Sequence, residues 1–489
     1  MNESINGWEV VIGLEVHAQI STHSKLFSSS PTEFGADPNM NVSFYDAAMP
    51  GMLPVLNENA VNQAIKTGFG INGVVNKVSK FDRKNYFYPD LPSGYQISQL
   101  FHPIISDGYV DIDLLDGNKK RVNIERIHIE QDAGKSIHDL SPDCSYVDLN
   151  RAGVPLMEIV SKPDMRSSYE AMQYVKKLRM ILKYVGSCDC NMERGNLRVD
   201  ANISVRKPGE PFGNRVEIKN INSIKFLGQA LDYEAQRQII ANENGERIVQ
   251  ETRLFDSNNG ETRSMRSKED AADYRYFPDP DLKPVVLSDA RIAKLKNEMP
   301  ELPDEKRERF TRDYGLSETD ANLLIEEKST ADYFEKAVSV SKFSRLESAK
   351  LIANWITGEL FAILNKEDKT IETAGIPIEY ITELVDLILD ETISGKIAKT
   401  VFATMTETGD SPSKIVKEQG LVQIQDEAVI EAAVNKVMQN NPSQVENYKN
   451  GKTQLFGFFV GQTMKELQNK GNPEKINKIL KEKLGVSEA

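Results

Sequence analysis

Apolar and polar side chains alternate along residues 9–20. Val10, Ile12, Leu14, Val16, Ala18 and Ile20 take one side, and Glu15, His17 and Gln19 the other. A period of two predicts a strand with one apolar and one polar face. Residues 197–205 repeat the pattern, with Leu197, Val199, Ala201, Ile203 and Val205 on one face and Arg198, Asp200, Asn202 and Ser204 on the other. A turn-rich stretch, 207–213, leads into 215–219, where Arg215, Glu217 and Lys219 fall together, so the two segments read as a hairpin. Residues 122–132 form another strand whose phase slips between Glu125 and Arg126, which predicts a bulge. After the slip, His128, Glu130 and Asp132 share a face. The run 155–160 is apolar except for Glu158.

The texture changes after about residue 295. Helical spacing of three and four dominates, as in 349–364 and 378–390, with Pro303, Pro377 and Pro412 between such stretches. A polar, turn-forming linker falls at 406–412, and the tail beyond it is again helical. The expected fold class is α+β, with a strand-rich domain over 1–295, a helical domain over 296–411 and a small helical tail over 412–489. No long-period repeat is present.

Composition narrows the function classes. The longest apolar runs, such as 10–12 and 458–460, are far short of the ~20 residues that span a bilayer. The segment MNESINGWEV lacks the basic and apolar regions of a signal peptide, and three cysteines in 489 residues favour a reducing compartment, so a cytoplasmic location is expected. A net charge of −13 argues against a protein that coats nucleic acid. The charge is uneven: from Lys414 onward eleven lysines face nine acids, which leaves +2 on the tail and −15 on the rest.

The polar faces carry candidate chemistry. Glu15 and His17, two apart on one face, could share a metal ion, or could be the solvent side of an edge strand. Mixed Arg, Asp, Glu and Lys on the hairpin face suits a magnesium–phosphate site, or an ordinary solvated surface. A carboxylate buried without a partner costs several kcal/mol, so Glu158 needs a metal, a base, a raised pKa or a structural salt bridge. Together Glu15, His17, Glu130, Glu158 and Asp200 are a hard-oxygen set with one imidazole, which suits Mg²⁺ better than zinc.

Three short patterns carry less. G-x-G-x-x-G at 68–73 follows a helix-like stretch rather than a strand, against a dinucleotide fold. Gly134-Lys135-Ser136 ends like a P-loop but lacks its first glycine, which leaves Lys135 as a lone ammonium that could reach phosphate. Cys188 and Cys190, with distant Cys144, lack a fourth zinc ligand. No G-x-S-x-G or Ser-Ser-Lys hydrolase pattern is present.

Eight longer motifs, in order, resemble the B subunits of bacterial and organellar aspartyl/glutamyl-tRNA amidotransferases. They are GLEVHAQI (13–20), PGMLPVLN (50–57), FDRKNYFYPDLPSGYQISQ (81–99), RIHIEQDAGKS (126–136), DLNRAGVPLMEIV (148–160), LRVDANISV (197–205), EIKNINS (217–223) and DYRYFPDPDL (273–282). The tail, with NYKNGKTQLFGFFVGQTMK (447–465), is similar to the family's terminal tRNA-contacting module. The resemblance implies a glutamine-synthetase-like cradle, then a helical domain and a tail. It implies a heterotrimer with an amidase-type A subunit, which releases ammonia from glutamine, and a small C subunit. It implies Mg²⁺ and ATP, used to phosphorylate the side-chain carboxylate of Glu on tRNA(Gln) or Asp on tRNA(Asn) before ammonia displaces phosphate.

Carried over by motif, Glu15, His17, Glu130, Glu158 and Asp200 are the implied metal ligands. Glu15, Asp200, Lys219 and Arg198 are the catalytic candidates. Lys135, Arg83, Lys84 and Glu217 are candidate ATP contacts on their chemistry alone, with a salt bridge the alternative for each base. Lys449, Lys452 and Lys465 are the implied tRNA contacts, around a helix whose Gly457 and Gly461 would permit close packing; a plain solvated face is the alternative. Gln131 stands where many relatives carry Glu and Ser93 where many carry Lys, so neither is assigned. The competing readings are a non-catalytic tRNA-binding scaffold and a stand-alone ligase acting on free Glu.

Overall fold

The computed structural model describes residues 5, 7–138, 140, 141, 143–267 and 274–485. Residues 1–4 and 6 of the N-terminal segment read above, and Asp273 of the DYRYFPDPDL motif, lie outside them. The chain divides into two compact units, Met1–Pro303 and Asp304–Ala489.

The first unit is built on a ten-stranded mixed sheet. Its long strands are β1 (Glu9–Gln19), β2 (Lys119–Gln131), β3 (Pro155–Ser161), β4 (Leu197–Arg206), β5 (Val216–Ile221), β6 (Glu251–Asp256) and β7 (Glu261–Ser267). They run in the order β7-β6-β5-β4-β1-β3-β2, and short strands continue the sheet beyond β2. Only β5 and β6 pair in parallel within this series. β1 is therefore central, not an edge strand.

Burial fixes which face is which. Ile12, Val16 and Ala18 of β1 and Ala201 and Ile203 of β4 are fully buried. They share one core with helices α1 (Glu58–Gly70), α2 (Ser168–Val185) and α3 (Ile224–Glu243). Each buried Val or Ile contributes roughly 1.5–3 kcal/mol, so the apolar set commits this face to the helices and turns Glu15, His17, Asp200 and Arg198 the other way. The three helices start where side chains cap them: Asn57, Ser167 and Ser223 each accept a backbone N–H of the first turn.

The bulge expected in 122–132 is present. Ile124 pairs with Ser161 and Arg126 with Val160, so Glu125 is the extra residue. The G-x-G-x-x-G run is the end of α1 and its exit. A Cβ on Gly68 or Gly73 would run into the Ile105 side chain, so these glycines serve close packing.

The second unit is helical. The stretch 349–364 is interrupted: Arg345–Trp355 passes into a π turn, Ile356–Leu360, before Phe361–Glu367. There the Thr357 hydroxyl donates to the Ala353 carbonyl (2.9 Å), a side-chain bond that competes with the helix ladder. The expected linker is shorter than 406–412. Helix Gly395–Thr408 runs through it, Gly409 closes that helix at φ +73°, and Pro412–Glu418 begins at once. This last helix packs on Ile378–Leu389 and Gly395–Thr408. A separate apolar core lies further on, around Ile430, Val434, Phe459, Ile476 and Leu480. Gly457 and Gly461 do not mediate packing within this chain, because a Cβ on either meets nothing within 4 Å. Among the described residues, no helix is long and apolar enough to cross a membrane.

Candidate functional site

Strand register assembles the polar face. Glu15 stands opposite Asp200, and His17 lies between Arg198 and Glu158. Glu158 stands opposite His128 on β2. On the outer side Asn202 stands opposite Glu217.

Two groupings result. In the first, Glu158 Oε2 lies 3.4 Å from His17 Nε2 and 3.1 Å from His128 Nε2. Glu130 lies 4.0 Å from His17 and 3.7 Å from His128, and accepts the Ser98 hydroxyl at 3.2 Å. One donor atom each of His17, Glu130 and Glu158 lie within 4.8 Å of one another, a spacing that fits a single cation. In the second, Lys219 Nζ bridges Asp200 (2.8 Å) and Glu217 (3.1 Å). Thr252 holds the other oxygen of Glu217 at 2.8 Å. Glu15 sits between the two groupings, and its only side-chain donor among the described residues is the Asn202 amide at 3.0 Å.

The electrostatics follow. Burial, then the carboxylates of Glu158, Glu217 and Asp200, push the Glu15 carboxyl up. Burial opposes charge on Glu158, yet His128 and His17 hold its carboxyl well below the usual range. Burial would lower the imidazoles, but Glu158 and Glu130 win: His17 is raised and His128 is held up at about 9. Burial would likewise lower Lys219, but Asp200 and Glu217 raise it. An acid-rich patch of this kind is relieved by a bound cation. The donor set, carboxylate oxygens with imidazole, fits Mg²⁺.

A third group closes one end of the face. Asp132 is buried and accepts Arg198 Nη2 at 2.7 Å and Gln19 Nε2 at 3.3 Å, with Arg151 Nε 3.7 Å away. Burial opposes the charge on Arg198, but Asp132 raises its pKa. Arg198 Nε has no partner among the described residues.

The remaining candidates are placed differently. Arg83 binds Asp279 (2.7 Å) and Asp281 (2.9 Å) and lies over the Tyr95 ring. Lys84 lies 4.9 Å over the Tyr274 ring. Lys135 is exposed in the wall of a neighbouring cavity. The preceding Gly134 is dictated by packing, since a Cβ there would meet the Asp148 and Asp90 carbonyls at 2.8 and 3.0 Å. Lys449, Lys452 and Lys465 are all exposed in the second unit.

Sequence reasoning left out of the ligand set His128, whose contacts with Glu158 depend on the pairing of β2 with β3. It left out Asn202, Asp132 and Thr252 for the same reason. His128 could have been found, since it shares the strand face with Glu130.

Acids and imidazoles gathered at one point, with Arg and Lys beside them on an open sheet, have the chemistry to hold a cation and an anionic group. Known proteins make the class specific. Residues 10–293 match the family model described as GatB/GatE catalytic domain, and residues 332–484 the one described as GatB domain. The B subunit of the aspartyl/glutamyl-tRNA(Asn/Gln) amidotransferase of Rickettsia bellii is 57% identical over 484 residues, 99% of each chain. Those of Granulibacter bethesdensis (55%, 98% of each chain) and Methylobacterium nodulans (56%, 99% of this chain and 97% of the relative) are similar. The chain belongs to this family of B subunits of tRNA-dependent amidotransferases.

Proposed function

We propose that this chain phosphorylates the side-chain carboxylate of a mischarged Glu-tRNA(Gln) or Asp-tRNA(Asn) and amidates it, within a complex containing an amidase-type A subunit and a small C subunit. The observation that carries the reading is the meeting of His17, Glu130 and Glu158 within 4.8 Å, beside Glu15 and Asp200.

A carboxylate resists ammonia because its charge repels the nucleophile and oxide cannot leave. Transfer of the γ-phosphoryl group of ATP to a carboxylate oxygen, with ADP departing, supplies a leaving group. Ammonia, released from glutamine by the A subunit, then adds to the carbonyl carbon. Phosphate leaves and a proton is lost, giving the amide. Positioning and charge neutralisation supply most of the catalysis in such a transfer.

His17, Glu130, Glu158, Glu15 and Asp200 would hold Mg²⁺. The ion would neutralise phosphate charge when bound. Lys219, fixed by Asp200 and Glu217, presents an ammonium at one side, and Arg198, fixed by Asp132, a guanidinium at the other. These are the groups we assign to the phosphates and the reacting carboxylate. Arg83 and Lys84, held by other partners, are weaker candidates for ATP contacts than Lys135. Exposed Lys449, Lys452 and Lys465 support a tRNA-contacting role for the tail.

Glu15→Gln and Asp200→Asn in the assembled complex test the reading. ATP-dependent amide formation should be lost while glutamine hydrolysis by the A subunit persists. Retained amidation would favour the scaffold reading.

A further inference from the structure

Glu217 and Lys219 lie on β5, and β6 is its outer neighbour in the sheet. The two strands pair in parallel and are joined through α3. Their register sets Thr252 opposite Glu217 and Leu254 opposite Lys219. Side chains alternate along a strand and paired positions share a face, so Thr252 falls on the side of Glu217, Lys219 and Asp200.

Two features fix how Thr252 is presented. The next residue, Arg253, is tied down. It donates to the Thr262 hydroxyl (2.8 Å) and carbonyl (2.7 Å) and to Glu251 (2.6 Å). Glu234 of α3, fully buried, lies 3.4 Å from Arg253 and accepts the Thr262 hydroxyl at 2.7 Å. The β6–β7 ladder also slips by one residue between Thr252 and Arg253, with Met265 the extra residue. Bulges of this kind re-aim side chains and are over-represented next to active sites.

A chain of three contacts results. The Thr252 hydroxyl donates to Glu217 Oε2 (2.8 Å). Glu217 Oε1 faces Lys219 Nζ at 3.1 Å, and Lys219 Nζ donates to Asp200 Oδ2 at 2.8 Å. Lysine carries its ammonium on a flexible four-carbon stem, so its direction is set by what holds it. A hydroxyl on one oxygen of Glu217 turns the other toward the ammonium, and adds no charge to an acid-rich patch.

We propose that Thr252 is a positioning residue for Lys219, acting through Glu217 rather than on the substrate. The use of that ammonium at phosphate rests on the reading under Proposed function; the holding of it does not.

Thr252→Val in the assembled complex removes the hydroxyl and keeps the β-branched shape that suits a strand. Acetic anhydride labelling, read by peptide mass spectrometry, follows Lys219 without ATP or metal present. Lys219 should label roughly fivefold faster, the equivalent of one net hydrogen bond. A fluorescent ATP analogue should bind more weakly by a similar factor, with the KM for mischarged tRNA unchanged. Thr252→Ser should restore both readouts. Adding Thr252→Val to Glu217→Gln should change neither further, because a residue that acts only through Glu217 has nothing left to act on. A merely structural role would move the tRNA KM as well and would multiply with Glu217→Gln. Labelling or analogue affinity within twofold of the unsubstituted complex in Thr252→Val, or effects that multiply in the double variant, overturns the proposal. The function reading fails separately, if Glu15→Gln retains ATP-dependent amidation.

Discussion

His17 and Glu158 stand directly opposite each other on paired strands, with Nε2 and Oε2 3.4 Å apart. His128 reaches the same oxygen from the other neighbouring strand, at 3.1 Å. Two strand registers therefore set a half-buried carboxylate between two imidazoles. Each ladder keeps its register because a slip by one residue would drive the polar set into the core.

Glu158→Gln keeps the shape of the side chain and removes its charge. Metal affinity should fall by more than the ~10–100-fold typical of losing an outer hydrogen-bond partner. Mn²⁺ titration followed by electron paramagnetic resonance measures it in the assembled complex. Affinity unchanged within a factor of two would remove Glu158 from the donor set.

Gly134→Ala should destabilise the first unit and disturb Lys135 without touching the acids. The added Cβ meets two backbone carbonyls rather than flexible side-chain tips, so a cost of about 1–3 kcal/mol is expected. Thermal unfolding should shift down by a few degrees. An unshifted transition would mean that the 88–92 and 146–150 segments yield easily.

Acid sensitivity has an identifiable source away from the site. Glu9 is buried between Arg206 and Arg166, and the hydrogen bond from Arg206, with that from Arg166, outweighs burial and lowers its carboxyl pKa. A depressed folded pKa stabilises above the ordinary Glu value of about 4.3, and that stability is lost as pH falls through the folded value. Glu9→Gln should thus lower the Tm at pH 7, and the gap to the unsubstituted chain should close below about pH 4. A constant gap across pH 3–7 would contradict the assignment.

Truncation after Gly420 removes the separate tail core while leaving helix Pro412–Glu418 on its neighbours. The shortened complex should bind mischarged tRNA more weakly and hydrolyse glutamine normally. Filter binding at fixed ionic strength reads the first, and glutamate release the second. Unchanged tRNA affinity would move the contact elsewhere.

Much of this was legible in the alternation of β1 and β4. Period two alone put Glu15, His17, Asp200 and Arg198 on polar faces, and the phase slip at Glu125 located the bulge. Alternation says nothing about which strands are neighbours, so the clamp on Glu158 and the role of Asp132 emerged only with the strand order. β1 is central because β3 and β4 return to it from far along the chain. In the helical part, Gly409 and Pro412 marked the break, but the spacing of 349–364 could not signal a π turn that depends on one hydroxyl, Thr357. The glycines at 457 and 461 read as packing sites and are open in this chain, since glycine spacing does not reveal what faces it. The net charge proved a composite: the acids that argued against nucleic acid include those of the candidate cation site.

Oxygen transfer tests the central claim most directly. With ¹⁸O in the side-chain carboxylate of Glu on tRNA(Gln), amidation by the assembled complex should place one ¹⁸O in the inorganic phosphate released, because that oxygen bridges carbon and phosphorus in the activated intermediate. Phosphate free of ¹⁸O, with amide still formed, would contradict phosphorylation of the carboxylate.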